Sequence, residues 1–202
     1  NRIIISNGSD IILTPDDRVL LIYDNASSRW RIQVLAVFPI THFFADQLDN
    51  PVTADWAVNA LAPAVADSNN DGLTVRLFDD TVEEGVGFLQ FIPSGATNIK
   101  FSFKSRAETG PAGGAAVVPK IYNRGIPDNA AVEAFSAGTL LTAISLPITT
   151  EFFQYDTQTI TLASLGITAG ELTQFELTRI GTDVGDTLAG DWALIEITVE
   201  FS

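Results

Sequence analysis

The sequence predicts an all-β protein: a small N-terminal β module followed by an antiparallel, jelly-roll-like β-sandwich. Three observations predict it. Apolar and polar residues alternate over several separate runs, which is the period of half-buried strands. Turn clusters rich in Gly, Pro, Asn and Asp punctuate those runs. No long amphipathic helix interrupts a series of eight or so strands, a pattern that suits a sandwich or jelly roll. The chain has 202 residues, 46% of them hydrophobic and 18% charged. That is long enough for one substantial domain plus a small module, and too apolar for a disordered chain.

Residues 1–37 read as the small module. Arg2-Ile3-Ile4-Ile5-Ser6 is apolar and β-branched, and Asn7-Gly8-Ser9-Asp10 supplies a turn whose Asn-Gly pair tolerates positive φ. Ile11-Ile12-Leu13 is a short return strand, and Thr14-Pro15-Asp16-Asp17 turns again. Val19–Tyr23 and Arg29–Val34 are then two strands around the polar loop Asp24–Ser28. Ile3-Ile4-Ile5 and Leu20-Leu21-Ile22 place apolar residues on both faces of their strands, so each face needs a neighbour. A second copy of the chain around a symmetry axis supplies one, and burial against the following domain is the alternative. Ile4, Leu21 and Trp30 are the expected oligomer contacts; Trp30 falls on the face opposite its neighbours Arg29 and Arg31. The chain opens without Met, within an expected strand, and reads as the C-terminal part of a longer or processed polypeptide.

Residues 38–54 read as a connector, because Phe38-Pro39 and Asn50-Pro51 break any regular period; His42–Leu48 is long enough for one helical turn. Residues 55–202 read as the sandwich. Leu73, Val75 and Leu77 alternate with Thr74 and Arg76; Ile99, Phe101 and Phe103 with Lys100, Ser102 and Lys104; Ile195, Ile197, Val199 and Phe201 with Glu196, Thr198 and Glu200. Further strands are expected at 86–92, 115–123, 139–146, 152–162 and 172–180. Trp192 begins the last strand and is expected in the core, while Trp56 and Trp30 are anchors or stacking platforms.

Acidic residues outnumber basic ones 25 to 11, a net charge of −14. The N-terminal module is balanced, so the excess lies in residues 38–202. Such a body is repelled by nucleic acid and by anionic membrane surfaces. No apolar run approaches the ~18–20 residues of a membrane span. With no cysteine, disulfide scaffolds, thiolate zinc sites and cysteine nucleophiles are excluded. The one histidine, His42, excludes multi-histidine metal sites.

Few constellations carry chemistry. Asp67, Asn69 and Asp71 place oxygen ligands at alternate positions before Gly72, the spacing of a calcium loop. Phe78 holds the twelfth position, where an EF-hand needs a bidentate Glu, and an Asx-turn explains the same residues. Calcium is therefore the one cofactor candidate, and none is otherwise expected. Asp79-Asp80 and Glu83-Glu84 read as a solvated acidic turn rather than an acid/base pair. His42 lies beside Phe43 and Phe44 with no Gly-x-Ser-x-Gly elbow nearby, so packing is its expected role. Phosphate-loop and dinucleotide-turn motifs are absent from the sequence. No enzyme activity is expected. Two loops stand out as contact candidates: 108–114, and 122–129, which offers Tyr122, Arg124 and Asp128 for binding.

The stretch Asn1-Arg2-Ile3-Ile4 … Leu20-Leu21-Ile22-Tyr23-Asp24 … Ser28-Arg29-Trp30-Arg31 resembles a module of tail-fibre and other virion proteins of tailed bacteriophages. Phe91–Ala96, Thr168–Leu172 with Phe175–Arg179, and Asp186–Trp192 are similar in style to a domain of phage structural proteins. The resemblance implies a homotrimeric β unit between shaft and tip, virion proteins as partners, and a place on the particle surface after assembly in the host cytoplasm. The expectation is the distal part of a trimeric fibre or spike, or a head decoration, presenting loops to a host glycan or protein receptor or to the particle. The alternative is a carbohydrate-binding module of a secreted bacterial enzyme or adhesin. Nucleic-acid binding and membrane insertion are not expected.

Overall fold

The computed structural model describes residues 18–24, 29–35, 40–50, 61–67, 72–108, 115–146 and 153–202. The chain divides into two compact units, Asn1–Pro39 and Ile40–Ser202. In the first, β1 (Arg18–Asp24) and β2 (Arg29–Leu35) form an antiparallel ribbon with Leu21 opposite Ile32 and Tyr23 opposite Trp30. The expected strands at 2–6 and 11–13 lie outside the described residues.

The second unit is an antiparallel β-sandwich. Its strands run β3 (Thr41–Phe44), β4 (Ala64–Asp67), β5 (Thr74–Phe78), β6 (Glu84–Phe91), β7 (Asn98–Ala107), β8 (Ala116–Val117) and β9 (Pro119–Ile126), followed by β10 (Thr139–Leu140), β11 (Ile144–Ser145), β12 (Gln154–Thr161), β13 (Leu172–Arg179) and β14 (Trp192–Phe201). One sheet has the order β10-β9-β13-β6, the other β12-β7-β14-β5-β4 with β3 also on β14, and β8 pairs with β11. Strands β3 and β5 share one flank of β14 end to end: β5 pairs with 192–194 and β3 with 196–199. The single helix described, α1 (Leu162–Leu165), is one turn, capped by Thr161 and closed by Gly166 in the left-handed region at φ 67°.

Alternation drives the two sheets together. Phe101 and Phe103 of β7, Phe175 and Leu177 of β13, and Ile197 and Val199 of β14 are all fully buried. Ring contacts join the sheets in one chain: Phe43 to Phe88 (4.6 Å), Phe88 to Phe175 (5.3 Å), and Phe175 edge-on to Phe101 (5.6 Å). At the far end Phe103 and Phe78 flank Trp192 at 6.3 and 5.1 Å. Offset and edge-to-face pairs of this kind add to the burial of apolar area.

Residues 41–49, read from the sequence as connector, belong to the sandwich. β3 pairs with β14, a 3-10 turn follows at Ala45–Gln47, and Asp49 exchanges two 2.9 Å backbone hydrogen bonds with Gly87. Buried Arg76 fixes this turn, donating to the Ala45 carbonyl (2.8 Å), to Asn50 Oδ1 (2.6 Å) and to the Leu48 carbonyl. Arg76 looked like an exposed position of an alternating strand; three acceptors make it an interior clamp instead.

Candidate functional site

The outer face of the four-stranded sheet is assembled by register. Counting across β6, β13 and β9, the rows are Phe91–Leu172–Ile126, Leu89–Gln174–Arg124, Gly87–Glu176–Tyr122 and Gly85–Thr178–Lys120. The inward residues Val86, Phe88, Phe175, Leu177 and Ile121 fill the core. The face therefore grades from an open apolar end, where Phe91 is 54% and Leu89 48% exposed, to a closed polar end. At that end Glu176 and Thr178 are fully buried.

Glu83 organises the closed end. Its Oε1 accepts from Tyr122 Oη and from Thr178 Oγ1, both at 3.2 Å. Lys120 Nζ stands 4.5 Å from the centre of the Tyr122 ring. Burial, and then the negative charge of Glu83, push the Tyr122 phenol well above its ordinary pKa, so it is a hydrogen-bond donor throughout the physiological range. Gly85 is part of the design: a Cβ there would lie 2.9 Å from Glu176 Oε1. At the open end Arg124 Nε donates to Gln174 Oε1 at 2.8 Å, and its guanidinium lies 4.4 Å from the centre of the Phe135 ring. The stretch after β9 folds back along it, with Ser136 N on the Asn123 carbonyl (2.8 Å) and Glu133 N on that of Gly125 (3.1 Å). Gly138, at φ 78°, passes over Tyr122 where any Cβ would come within 2.6 Å of the ring.

Of the expected binding residues, Tyr122 and Arg124 are brought together, two apart on one face. They do not sit in an exposed loop: both belong to β9, and Tyr122 is only 6% exposed. Asp128 is in the exposed turn beyond β9, two residues after Ile126. Loop residues 109–114 lie outside the described residues, as do Asn69, Asp71, Ile4 and Trp56. Asp67 ends β4; Leu21 and Trp30 sit in β1 and β2, with only their backbone pairing described. Among the described residues, no three His, Asp or Glu side chains are grouped to hold a metal ion.

The acidic turn is a correction. It was expected to be solvated, yet Glu84 is 9% exposed and its Oε2 accepts from Asp79 N at 2.8 Å, while Asp80 Oδ2 accepts from Gly190 N at 3.0 Å. Burial raises the Glu84 carboxyl above its usual range. Sequence reading placed Glu83 in that solvated turn and missed Gln174, Glu176 and Phe135. Gln174 and Glu176 carried a signal, as the polar positions alternating with Phe175 and Leu177.

A second polar cluster lies on the outer face of the six-stranded sheet. His42 is not packed in the core, as expected from its aromatic neighbours; its side chain is 51% exposed and its Nδ1 meets Glu196 Oε1. Tyr155 Oη donates to Glu196 Oε2 at 2.9 Å, and Thr198 Oγ1 to Glu196 Oε1 at 3.4 Å. Burial opposes the Glu196 charge, but hydrogen bonds from His42 and Tyr155 outweigh it and hold the carboxyl below its ordinary pKa. A depressed carboxylate stabilises the fold above its unfolded pKa, and that contribution is lost as pH falls through the folded value. Tyr155→Phe is therefore expected to raise the Glu196 titration midpoint, read from its carboxyl carbon by NMR. Its stability deficit relative to wild type is expected to shrink in acid; a deficit independent of pH would contradict this assignment.

A third feature is a groove of about 590 Å³ between β12 and the stretch 139–144.

No family model matches the chain, and no curated protein matches it. Among solved structures, the enzymatically active domain of tailspike protein 4 of bacteriophage CBA120 is 7% identical over 83% of this chain, with a TM-score of 0.36. The match spans 20% of that chain. TmCBM61 in complex with beta-1,4-galactotriose is 12% identical over 81% of this chain and 89% of that one, with a TM-score of 0.35.

Proposed function

We propose that the chain is a non-enzymatic component of a phage particle, the distal part of a trimeric fibre or spike or a head decoration, whose sandwich makes attachment contacts at the particle surface. The observation that carries this reading is the graded face of the four-stranded sheet. An open apolar row of Phe91, Leu172 and Ile126 adjoins the Arg124–Gln174 pair, whose guanidinium is also seated over the Phe135 ring. An exposed aromatic, Phe91, near a pre-oriented guanidinium is the composition of a contact hot spot. The β1–β2 ladder supports the oligomeric part, since its sequence is apolar at consecutive positions. Native mass spectrometry of residues 1–202 tests it: three copies are expected, reduced to one by Leu21→Lys. A monomer from the unaltered chain would remove the fibre reading.

The second reading, a carbohydrate-binding module, is favoured by the hydroxyl-lined groove beside β12.

A further inference from the structure

Strand β12 is the end of its sheet, and it pairs only with β7 among the described strands. Five successive residues of it, 156–160, line the groove. Successive strand residues point to opposite faces, so it is the free edge of β12 that forms this wall. The other wall is the backbone stretch 139–144. Two glutamines hold the walls at a fixed separation. Gln158 Oε1 accepts from Thr142 N and its Nε2 donates to the Thr142 carbonyl, both at 2.7 Å. Gln154 Nε2 donates to the Ser145 carbonyl and to Asp156 Oδ2, the latter at 2.6 Å. The groove is thus built in advance of any ligand, and its volume falls within the roughly 300–1,000 Å³ of small-molecule sites.

Its chemistry narrows the occupant. Hydroxyls come from Thr139, Thr142 and Thr159, and one carboxylate from Asp156; the Thr157 hydroxyl is turned instead to Ser102 Oγ on β7, at 3.0 Å. Leu140, 54% exposed, lies among them with other aliphatic side chains. No lysine or arginine is in the lining, and the chain carries −14 overall, so an anionic ligand would meet repulsion without a partner. Insertion of a β-strand would have to break the Gln158 bridge, which already takes both backbone groups of Thr142. A ligand with many hydroxyls and apolar C–H faces meets neither obstacle.

We propose that this groove binds a neutral saccharide, with Asp156 accepting hydrogen bonds from sugar hydroxyls and the aliphatic side chains packing on the ring. Its biological use rests on the attachment reading above, but the binding itself is independent of it.

The test screens the full chain against a glycan array holding neutral and acidic oligosaccharides, then titrates the best neutral hit by calorimetry. Asp156→Asn keeps the shape and removes the charge, and is expected to weaken binding at least 10-fold. Leu140→Asp removes the exposed apolar surface from the groove and leaves Asp156 in place; it is expected to weaken binding similarly, so a folding defect in one variant leaves the other informative. Val184→Ser, at a fully exposed position outside the groove lining, should leave the affinity unchanged. Exclusive binding of acidic glycans, absence of any neutral hit, or a neutral hit indifferent to both groove variants would overturn the proposal. So would loss of binding with Val184→Ser. A monomeric mass with intact, groove-dependent binding would remove the fibre reading alone; a trimer without saccharide binding would remove this one alone.

Discussion

Arg179→Ala is expected to cost about 3–5 kcal/mol, the usual effect of breaking a buried ion pair from one side. For a chain of this size that lowers Tm by roughly 10 °C. Arg179 is fully buried and every guanidinium nitrogen is used. Nε and Nη2 form a bidentate pair with Asp186 at 3.0 and 2.8 Å; Nη1 donates to the carbonyls of Phe78 (3.0 Å) and Gly190 (2.6 Å), and Nη2 also to that of Leu188 (2.6 Å). Asp186 Oδ2 additionally accepts from Val118 N at 3.0 Å. One side chain thereby ties the ends of β13 and β5 to the loop entering β14. Alanine would strand both the Asp186 carboxylate and three carbonyls in a site closed to water. Asp186→Asn is the milder partner: it keeps the shape but offers an amide to the guanidinium, and should cost less than Arg179→Ala. Replacing both residues with Met and Leu should cost less than Arg179→Ala alone, because no charge is left unpaired. A thermal melt of the three variants decides it; an Arg179→Ala melt within 2–3 °C of wild type would refute the clamp.

The same residues show what could be read from the sequence. Phe175–Arg179 and Asp186–Trp192 stood out as motifs and were assigned no role; in the fold they meet at Arg179, a structural junction. An arginine at a strand's end looks like a surface residue until its acceptors are known, and those come from 7 to 101 residues away in sequence. The long strands were legible because eight to ten residues of alternation leave a period to detect. The two-residue strands β8, β10 and β11 fall within the expected strands 115–123 and 139–146, but their short bounds were not legible, since a period of two cannot be seen in two residues. β3 was hidden for another reason: its partner Glu196 lies 152 positions beyond Phe44, and the pairing rather than the local pattern makes it a strand. At the candidate site, Tyr122 and Arg124 were legible as an aromatic and a cation two apart. Glu83, which organises Tyr122, comes from a turn 39 residues earlier, and its acid-rich surroundings pointed to solvent.

Trp192 sets the second large effect. It is fully buried at the start of β14, opposite Phe78 and Ala107 in the sheet, with the Phe78 and Phe103 rings against it. Trp192→Ala is expected to cost about 3–5 kcal/mol, from lost transfer energy plus the cavity left behind. Trp192→Phe should be far milder, and volume alone does not explain why. Among the described residues the indole Nε1 has no hydrogen-bond acceptor, and a buried N–H in that state costs about 1–3 kcal/mol. Phenylalanine leaves a smaller cavity and removes that unpaired donor, so the two changes oppose each other. The expected cost is about 1 kcal/mol, read by urea unfolding followed by far-ultraviolet circular dichroism, since tryptophan emission changes with the substitution itself. If Trp192→Phe costs nearly as much as Trp192→Ala, the indole N–H is satisfied in solution and shape alone governs this end of the core. If it is nearly neutral, the ring contacts with Phe78 and Phe103 hold the residue in place despite its polar edge.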